Sequence, residues 1–423
     1  MKNATAYLLT KLYFLYSLVV DCRLILGTFM TKAVSVDERS RPLQLNWLWV
    51  LNLKVIYFLR YIFRNQELFN KQVDTIFEAI VSDMKKQPYH ASQTLLEIPK
   101  FELDEISAEE FYNNFVKYGR PAVFKNVTSE ARDKWCSEYF IKHYANKKLV
   151  VGDEEGNDET KTVENYLNDS KIDYAQNTVD ILNECPELIE QLGIHRFEPY
   201  MVKVSNAVDK GYFGSEIFMG KSSKTGTSFH CAGGENLFFM LSGRKRWTLI
   251  SPEYTWLMQP IFNKDMAYVA SDISRETLHK PEVLDKLHPV FKYAPRYVVD
   301  LEPGDVLFNP SWYWHQIDNL TDETIAVATR WVTDIKQTNR LFTLMECFSS
   351  YSHRLLQELI KTDFDYVYTD DLMRNESLSG LENVLGFGSE KKAEIYLDNR
   401  RKYAERMLTE EEMQFFDNIK VAF

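Results

Sequence analysis

The stretch "FHCAGGEN", residues 229–236, sets a histidine inside a run of apolar β-formers and follows it with two glycines. Further along, "GDVLFNPSWYWHQIDN", residues 304–319, places a second histidine after another apolar run. Imidazoles delivered from two strands are a metal-binding arrangement that still lacks a ligand. The surroundings of these two segments decide the fold. From 196 to 333 the texture is β: "PYMVKVS", "SEIFMG", "GTSFHCA", "ENLFFML", "KRWTLIS", "YVVDLEPGDVLFN", "HQIDN" and "TIAVATRWV". Short strands punctuated by Gly, Pro and Asn predict a sandwich or barrel. The irregular segment 253–295 is expected to cover one end of it.

On either side the periodicity is helical. Residues 1–90 read as mostly helix, with "NKQVDTIFEAIVSDMKK" (70–86) ending near Pro88. "LLEIPKFELDEISAEEFYNNFVKYGRPAVFKNV" (95–127) begins as a strand, passes into a helix capped at Ser107, and returns to β at "RPAVFKN". Residues 129–195 alternate helices with acidic loops such as "GDEEGNDET" (152–160). After about 336 helical spacing resumes, most clearly over 341–360. The chain thus divides into a helical region (1–90), a β-rich domain (91–335) and a helical region (336–423).

Composition bounds the partners. The 423 residues are 45% hydrophobic and 26% charged, enough for a sizeable core. A net charge of −11 opposes phosphate backbones, so nucleic acid is not an expected partner. Cys22, Cys136, Cys185, Cys231 and Cys347 are scattered, with no CxxC pair, which fits a reducing, intracellular and cytoplasmic setting rather than a disulfide scaffold. Asn-X-Ser/Thr tripeptides at Asn126, Asn168, Asn319 and Asn375 carry little weight, and a glycan on Asn319 would crowd the second histidine segment. The apolar run 7–20 is broken by Lys11. The run 43–63 carries Asn46, Asn52, Lys54 and Arg60, which favours an amphipathic helix over a membrane span. Such a helix packs on its own protein or lies on a membrane surface.

The paired segments "HCAGGENLFFMLSGRKRWTLISP" and "EPGDVLFNPSWYWHQIDN" resemble the JmjC and cupin-like family of Fe(II)/2-oxoglutarate oxygenases. The likeness is nearest to the protein hydroxylases related to the asparaginyl hydroxylase of hypoxia-inducible factor. It runs through about 95–335 and is densest over 225–332. It implies an α+β fold with a double-stranded β-helix, a jelly roll, flanked by helices. It implies Fe(II) and 2-oxoglutarate as cofactors, with His230 and His315 as metal ligands. Lys245, fifteen residues after His230, matches the basic residue for the distal carboxylate of 2-oxoglutarate. Thr227 matches a hydroxyl on the same group, Asn236 a polar residue near the cofactor, and Thr329 another contact that a one-residue slip would exchange for Arg330. Strand alternation in "GRKRWT" (243–248) independently puts Lys245 and Trp247 on one face, and a buried lysine calls for an anion.

The family's third ligand, a carboxylate two residues after the first histidine, is Ala232 here. Alternation shows why that position matters: residues 230 and 232 share a face, whereas Cys231 points the other way. Glu235 reaches back only if Gly233-Gly234 bends sharply. Three accounts follow. Chloride fills the corner, as in non-haem iron halogenases that carry Ala or Gly there, making Ala232 a halide pocket; water fills it in a hydroxylase; or the domain is a non-catalytic cupin-like binding protein. The substrate is a small molecule or a protein. The 341–360 helix is a candidate for pairing two copies into a homodimer.

Overall fold

A computed structural model describes residues 46–62, 66–86, 94–152, 158–201, 212–262, 268–331 and 390–419. Within them the strands form two sheets. The first runs, in spatial order, β1 (Leu95–Leu96), β13 (Arg296–Leu301), β10 (Lys245–Ile250), β15 (Trp314–Asn319), β8 (Gly226–Ala232), β12 (Tyr268–Ser271) and β11 (Pro260–Phe262). The second runs β2 (Lys100–Glu102), β3 (Ala122–Lys125), β14 (Val306–Asn309), β9 (Glu235–Ser242), β16 (Thr324–Trp331), β7 (Tyr212–Gly220), β6 (Tyr174–Thr178), β4 (Lys148–Gly152) and β5 (Asp158–Thr162). The central four of each, β13-β10-β15-β8 facing β14-β9-β16-β7, form the double-stranded β-helix of an α+β fold.

Alternation along these strands sorts the side chains into three layers. Phe238, Met240, Trp247, Leu249, Val299, Leu307, Ile317, Ala326 and Ala328 meet between the sheets. The opposite face of the second sheet buries Leu237, Phe239, Val327 and Trp331 under the short helices of 108–197. The opposite face of the first sheet buries Phe229 and Cys231 under α1 (Trp47–Ile62) and α2 (Asn70–Lys85). Leu53 and Tyr57 supply the buried stripe of α1, and the Tyr57 hydroxyl donates to the Trp256 carbonyl at 3.1 Å. Trp47, Leu48 and Val55 on its other side are exposed. This is the amphipathic helix that the interrupted run predicts. Among the described residues no helix is long and apolar enough to cross a membrane.

The C-terminal helices α3 (Glu390–Met407) and α4 (Glu410–Asp417) close over the segment 275–288 through Val283, Leu287, Ala404 and Phe416. Asn399 reaches Glu67 at 2.6 Å and Arg400 pairs with Asp272 at 2.5 Å, so α3 also touches the α1–α2 connection and the inserted segment.

Several expectations change. Part of the acidic stretch 152–160 is strand: β4 and β5 pair across it and, with β6, extend the second sheet. Those strands read as loop because Asp158–Thr162 is wholly polar, so its pairing comes from the neighbouring Leu149 and Val151, not from its own hydrophobicity. The insertion 253–295 is not merely irregular, since it supplies β11 and β12, and β12 pairs beside His230. Pro199–Met201, expected in a strand, lies in a turn, and the rest of that run falls outside the described residues. The expected helix at 341–360 and the run 7–20 also lie outside them.

Candidate functional site

The two histidines face each other across neighbouring strands. His315 on β15 pairs directly with His230 on β8, and their ring centroids are 4.2 Å apart at an interplanar angle of 56°. Each ring is fixed by a backbone carbonyl two residues earlier: His230 Nδ1 lies 2.9 Å from the Ser228 oxygen, and His315 Nδ1 lies 2.8 Å from the Tyr313 oxygen. A carbonyl only accepts, so both rings carry their proton on Nδ1 and the lone pair on Nε2, the form that binds a metal. Trp247 stacks on His315 at 5.2 Å and 20°, locking its plane. Burial holds both imidazoles below the ordinary histidine range. For His315 the neighbouring His230 and Arg330 add to the effect, and for His230 Arg330 does.

The turn that delivers His315 is clamped to the strand that carries His230. Trp312 adopts a left-handed backbone, φ 58°, uncommon for a bulky residue. Its N–H donates to the Ala232 carbonyl at 2.8 Å, and the Gly234 N–H donates to Ser311 Oγ at 3.1 Å. The buried Glu235 carboxylate accepts from the Ser311 N–H at 2.9 Å. Glu235 therefore braces the loop instead of reaching back to the histidines. Cys231 is fully buried on the opposite face of the strand, where burial also pushes its thiol up. Among the described residues no group of three or more His, Cys, Asp and Glu side chains is placed to hold a metal ion.

Four residues deeper along β10 than the rung of His315, about 13 Å at about 3.3 Å per residue, lies Lys245. It is fully buried, and its Nζ donates to Asn319 Oδ1 at 2.5 Å and sits 5.0 Å over the Tyr174 ring. Gly220 makes room for this brace, because a Cβ there would come within 2.6 Å of Asn319 Nδ2. Neither contact is an anion, and desolvation pushes the ammonium down to about 7. Asn319 is buried and its amide also donates to Thr225 at 2.7 Å, which leaves no place for a glycan.

The space between the sheets that holds both ends, the chamber, also presents buried polar atoms without hydrogen-bond partners. Thr227 Oγ1, Asn236 Oδ1, Asn309 Oδ1 and Trp247 Nε1 are all buried and unbonded. Thr227 is three residues from His230, an odd offset that plain alternation would assign to the opposite face. A register shift between His315 and Ile317 puts it opposite Ile317, whose side chain lies between the sheets. Two imidazoles, a buried lysine and orphaned oxygens fit an iron ion and a dicarboxylate, apart from the missing acid.

Thr329 is not part of this chamber. It pairs with Leu237, on the face that packs under the 108–197 helices, and its hydroxyl lies 2.9 Å from Ser215 Oγ. The neighbour faces inward instead: Arg330 is opposite Asn236, on the same face as Ala326 and Ala328. The reading from sequence also passed over Tyr174 and Asn309. Asn309 is visible in hindsight, one position before the "PSWYWH" turn at the end of an apolar strand, whereas Tyr174 comes from a strand with no pattern to mark it.

The fold and this chamber define a class, and the comparisons agree. The family model described as a cupin-like domain matches residues 107–337, and the chain belongs to that family. The chain is 36% identical to HSPB1-associated protein 1 of Mus musculus over 100 residues, 23% of this chain and 20% of that protein. It thus spans about a fifth of the length of that relative. It is 25% identical to JmjC domain-containing protein A of Dictyostelium discoideum over 263 residues, 56% of this chain and 96% of that protein. It is 23% identical to the bifunctional arginine demethylase and lysyl-hydroxylase psr-1 of Caenorhabditis elegans over 253 residues, 55% of this chain and 60% of that protein.

Proposed function

We propose that the protein is an Fe(II)/2-oxoglutarate-dependent oxygenase that oxidises a substrate C–H bond at a two-histidine iron site. The observation that carries this is the pairing of two oriented imidazoles, 4.2 Å apart, with a buried lysine deeper in the same chamber. His230 and His315 would hold the iron, and Lys245 and Thr227 the distal carboxylate of 2-oxoglutarate, with Asn236 beside it. A relative named as a lysyl-hydroxylase supports the reaction class.

Iron with 2-oxoglutarate and dioxygen supplies the oxidising power, the cosubstrate being decarboxylated to succinate. The chain does the rest by positioning. The Ser228 and Tyr313 carbonyls keep the Nε2 lone pairs presented, Trp247 and Phe238 (ring centroids 4.7 Å apart) wall off water, and Lys245 sets the depth at which the dicarboxylate stops. With alanine at position 232 the two histidines would hold the iron without a carboxylate. Water completing the set would give a hydroxylase, and chloride would give a halogenase.

Anaerobic titration with iron and 2-oxoglutarate, repeated with chloride, tests the proposal. Iron binding that depends on both histidines supports it, and a charge-transfer band that shifts with chloride selects halogenation. A wild-type protein that binds neither iron nor 2-oxoglutarate supports the second reading, a cupin-like binding protein. That reading draws on the lack of a third protein ligand among the described residues.

A further inference from the structure

We infer that Trp247 belongs to the cosubstrate site: its indole N–H donates a hydrogen bond to the distal carboxylate of the dicarboxylate that Lys245 takes. The inference rests on the oxygenase reading and deepens it, adding a donor that fixes which kind of group the deep end accepts.

The indole is buried and its N–H is unused. Trp247 is 1% exposed, stacked on His315 and packed against Phe238, and its Nε1 makes no hydrogen bond. An indole nitrogen only donates, so no rotation or tautomer turns it into an acceptor. Left unmet in the interior, such a donor forfeits the hydrogen bond it made with water. Trp314 shows the ordinary solution: its Nε1 donates to Thr255 Oγ1 at 3.0 Å.

An unbonded indole is not by itself a site. Trp331 Nε1 is also buried and unbonded, in the layer beneath the 108–197 helices. What distinguishes Trp247 is its rung. Trp247 on β10 pairs with Ile317 on β15, and Ile317 pairs with Thr227 on β8. Thr227 Oγ1 is the second buried, unbonded polar atom of that rung. The two groups thus come from either side of Ile317, whose side chain lies between the sheets. Lys245 is the next residue on the same face of β10, and Leu249, the next one the other way, pairs with His315. The rung therefore stands midway between Lys245 and the histidine rung, about 7 Å from each at about 3.3 Å per residue.

The donors define the ligand. Lys245 offers an ammonium, Trp247 an indole N–H and Thr227 a hydroxyl, and of these only the hydroxyl can also accept. The rung, extended to Val299 on β13, carries no acid. A carboxylate answers this set, because both oxygens accept and its charge strengthens each hydrogen bond. A carboxamide, which brings donors of its own, answers it poorly. Any ligand that joins the Lys245 end to the histidine end crosses this rung.

The test uses metal-free full-length protein with isotope-labelled indole nitrogens, followed by nuclear magnetic resonance. Two ligands are titrated separately: 2-oxoglutarate, and glutarate, which shares the distal carboxylate but lacks the 2-oxo group. The Trp247 indole proton, assigned by its absence from Trp247→Phe, is expected to move downfield as either ligand binds. Trp247→Phe keeps an aromatic ring against His315 but has no N–H. By calorimetry it is expected to bind both ligands about tenfold more weakly, the scale for one hydrogen bond to a charged acceptor. Unchanged affinity in the variant overturns the inference. If the other indole resonances show that the variant is misfolded, the wild-type titration decides alone: an indole spectrum in which no proton moves downfield overturns the inference. Iron titration of the wild type is the separate control. If iron fails to bind while glutarate still moves the Trp247 resonance, the oxygenase reading falls and the role of Trp247 stands. If iron and 2-oxoglutarate bind but the resonance stays in place, the reading stands and the role of Trp247 falls.

Discussion

At the deep end of the chamber, Lys245 is fully buried, braced by Asn319 and Tyr174, and its place is set by a glycine that lets the brace approach. At the other end, His230 and His315 are equally well oriented, yet the residue two positions after His230 carries only a methyl group. Lys245 and the two histidines are all held by uncharged partners, for different reasons. The lysine end is closed by neutral partners, and a buried ammonium without an anion is costly and tends to lose its proton. The histidine end is unfinished as protein, since two neutral donors hold a divalent ion less firmly than two donors and a carboxylate. The contrast teaches that one fold can brace a buried cation with neutral partners at one end and orient two neutral imidazoles without a carboxylate at the other.

The largest effect should come from removing a histidine. His315→Ala is expected to abolish iron binding measured by calorimetry under argon, while the fold survives by circular dichroism. Iron binding that persists would mean the metal, if any, sits elsewhere. Restoring the acid with Ala232→Asp should tighten iron and remove any response of its spectrum to halide, making the two ends alike in completeness.

Lys245→Ala should weaken 2-oxoglutarate by about 2 kcal/mol or more, roughly thirtyfold, the scale for removing one partner of a buried charged pair. An unchanged dissociation constant would take the cosubstrate away from the deep end. Gly220→Ala probes the same end indirectly. The new Cβ would crowd Asn319 and Thr324, at a cost of about 1–3 kcal/mol in denaturant unfolding. No loss of stability would show that the Asn319 brace moves freely.

The smallest effect is a pH slope. With its ammonium pushed down from 10.5 to about 7 in the ligand-free protein, Lys245 is charged below about 7 and increasingly neutral above it. Binding a dianion restores the proton, so affinity for 2-oxoglutarate should be flat below about pH 7 and fall by up to about tenfold per pH unit above it. Stability of the ligand-free protein runs the other way. Between about 7 and 10.5 the unfolded chain holds more protons than the native one, so stability rises with pH across that window. Lys245→Met should flatten both curves.

Much of the jelly roll was legible because its strands are apolar, short and bounded by turn residues, a pattern that period-two alternation alone converts into faces. On the same ground Lys245 shares a face with Trp247, and the packing of Trp247 between the sheets makes that face the inner one. Thr329 was misplaced by a single residue because position along a strand says which neighbours share a face, but not which face is inside. Arg330 is the inner one only because Ala326 and Ala328 meet the opposing sheet. Glu235 had a free choice on paper, and the Ser311 N–H decided it.

The residue types by themselves determined the chemistry on offer: two imidazoles, one lysine among apolar strand residues, and an alanine where a carboxylate would complete a metal site. These follow from side-chain identity and from the two-residue strand period, which are local properties. What only the tertiary structure decided is which of these groups meet. The register shift that turns Thr227 inward, Tyr174 arriving from a polar strand and Arg330 standing opposite Asn236 all depend on how distant segments pair. Pairing between distant strands is settled by packing of the whole sheet, and no short stretch of sequence carries that information.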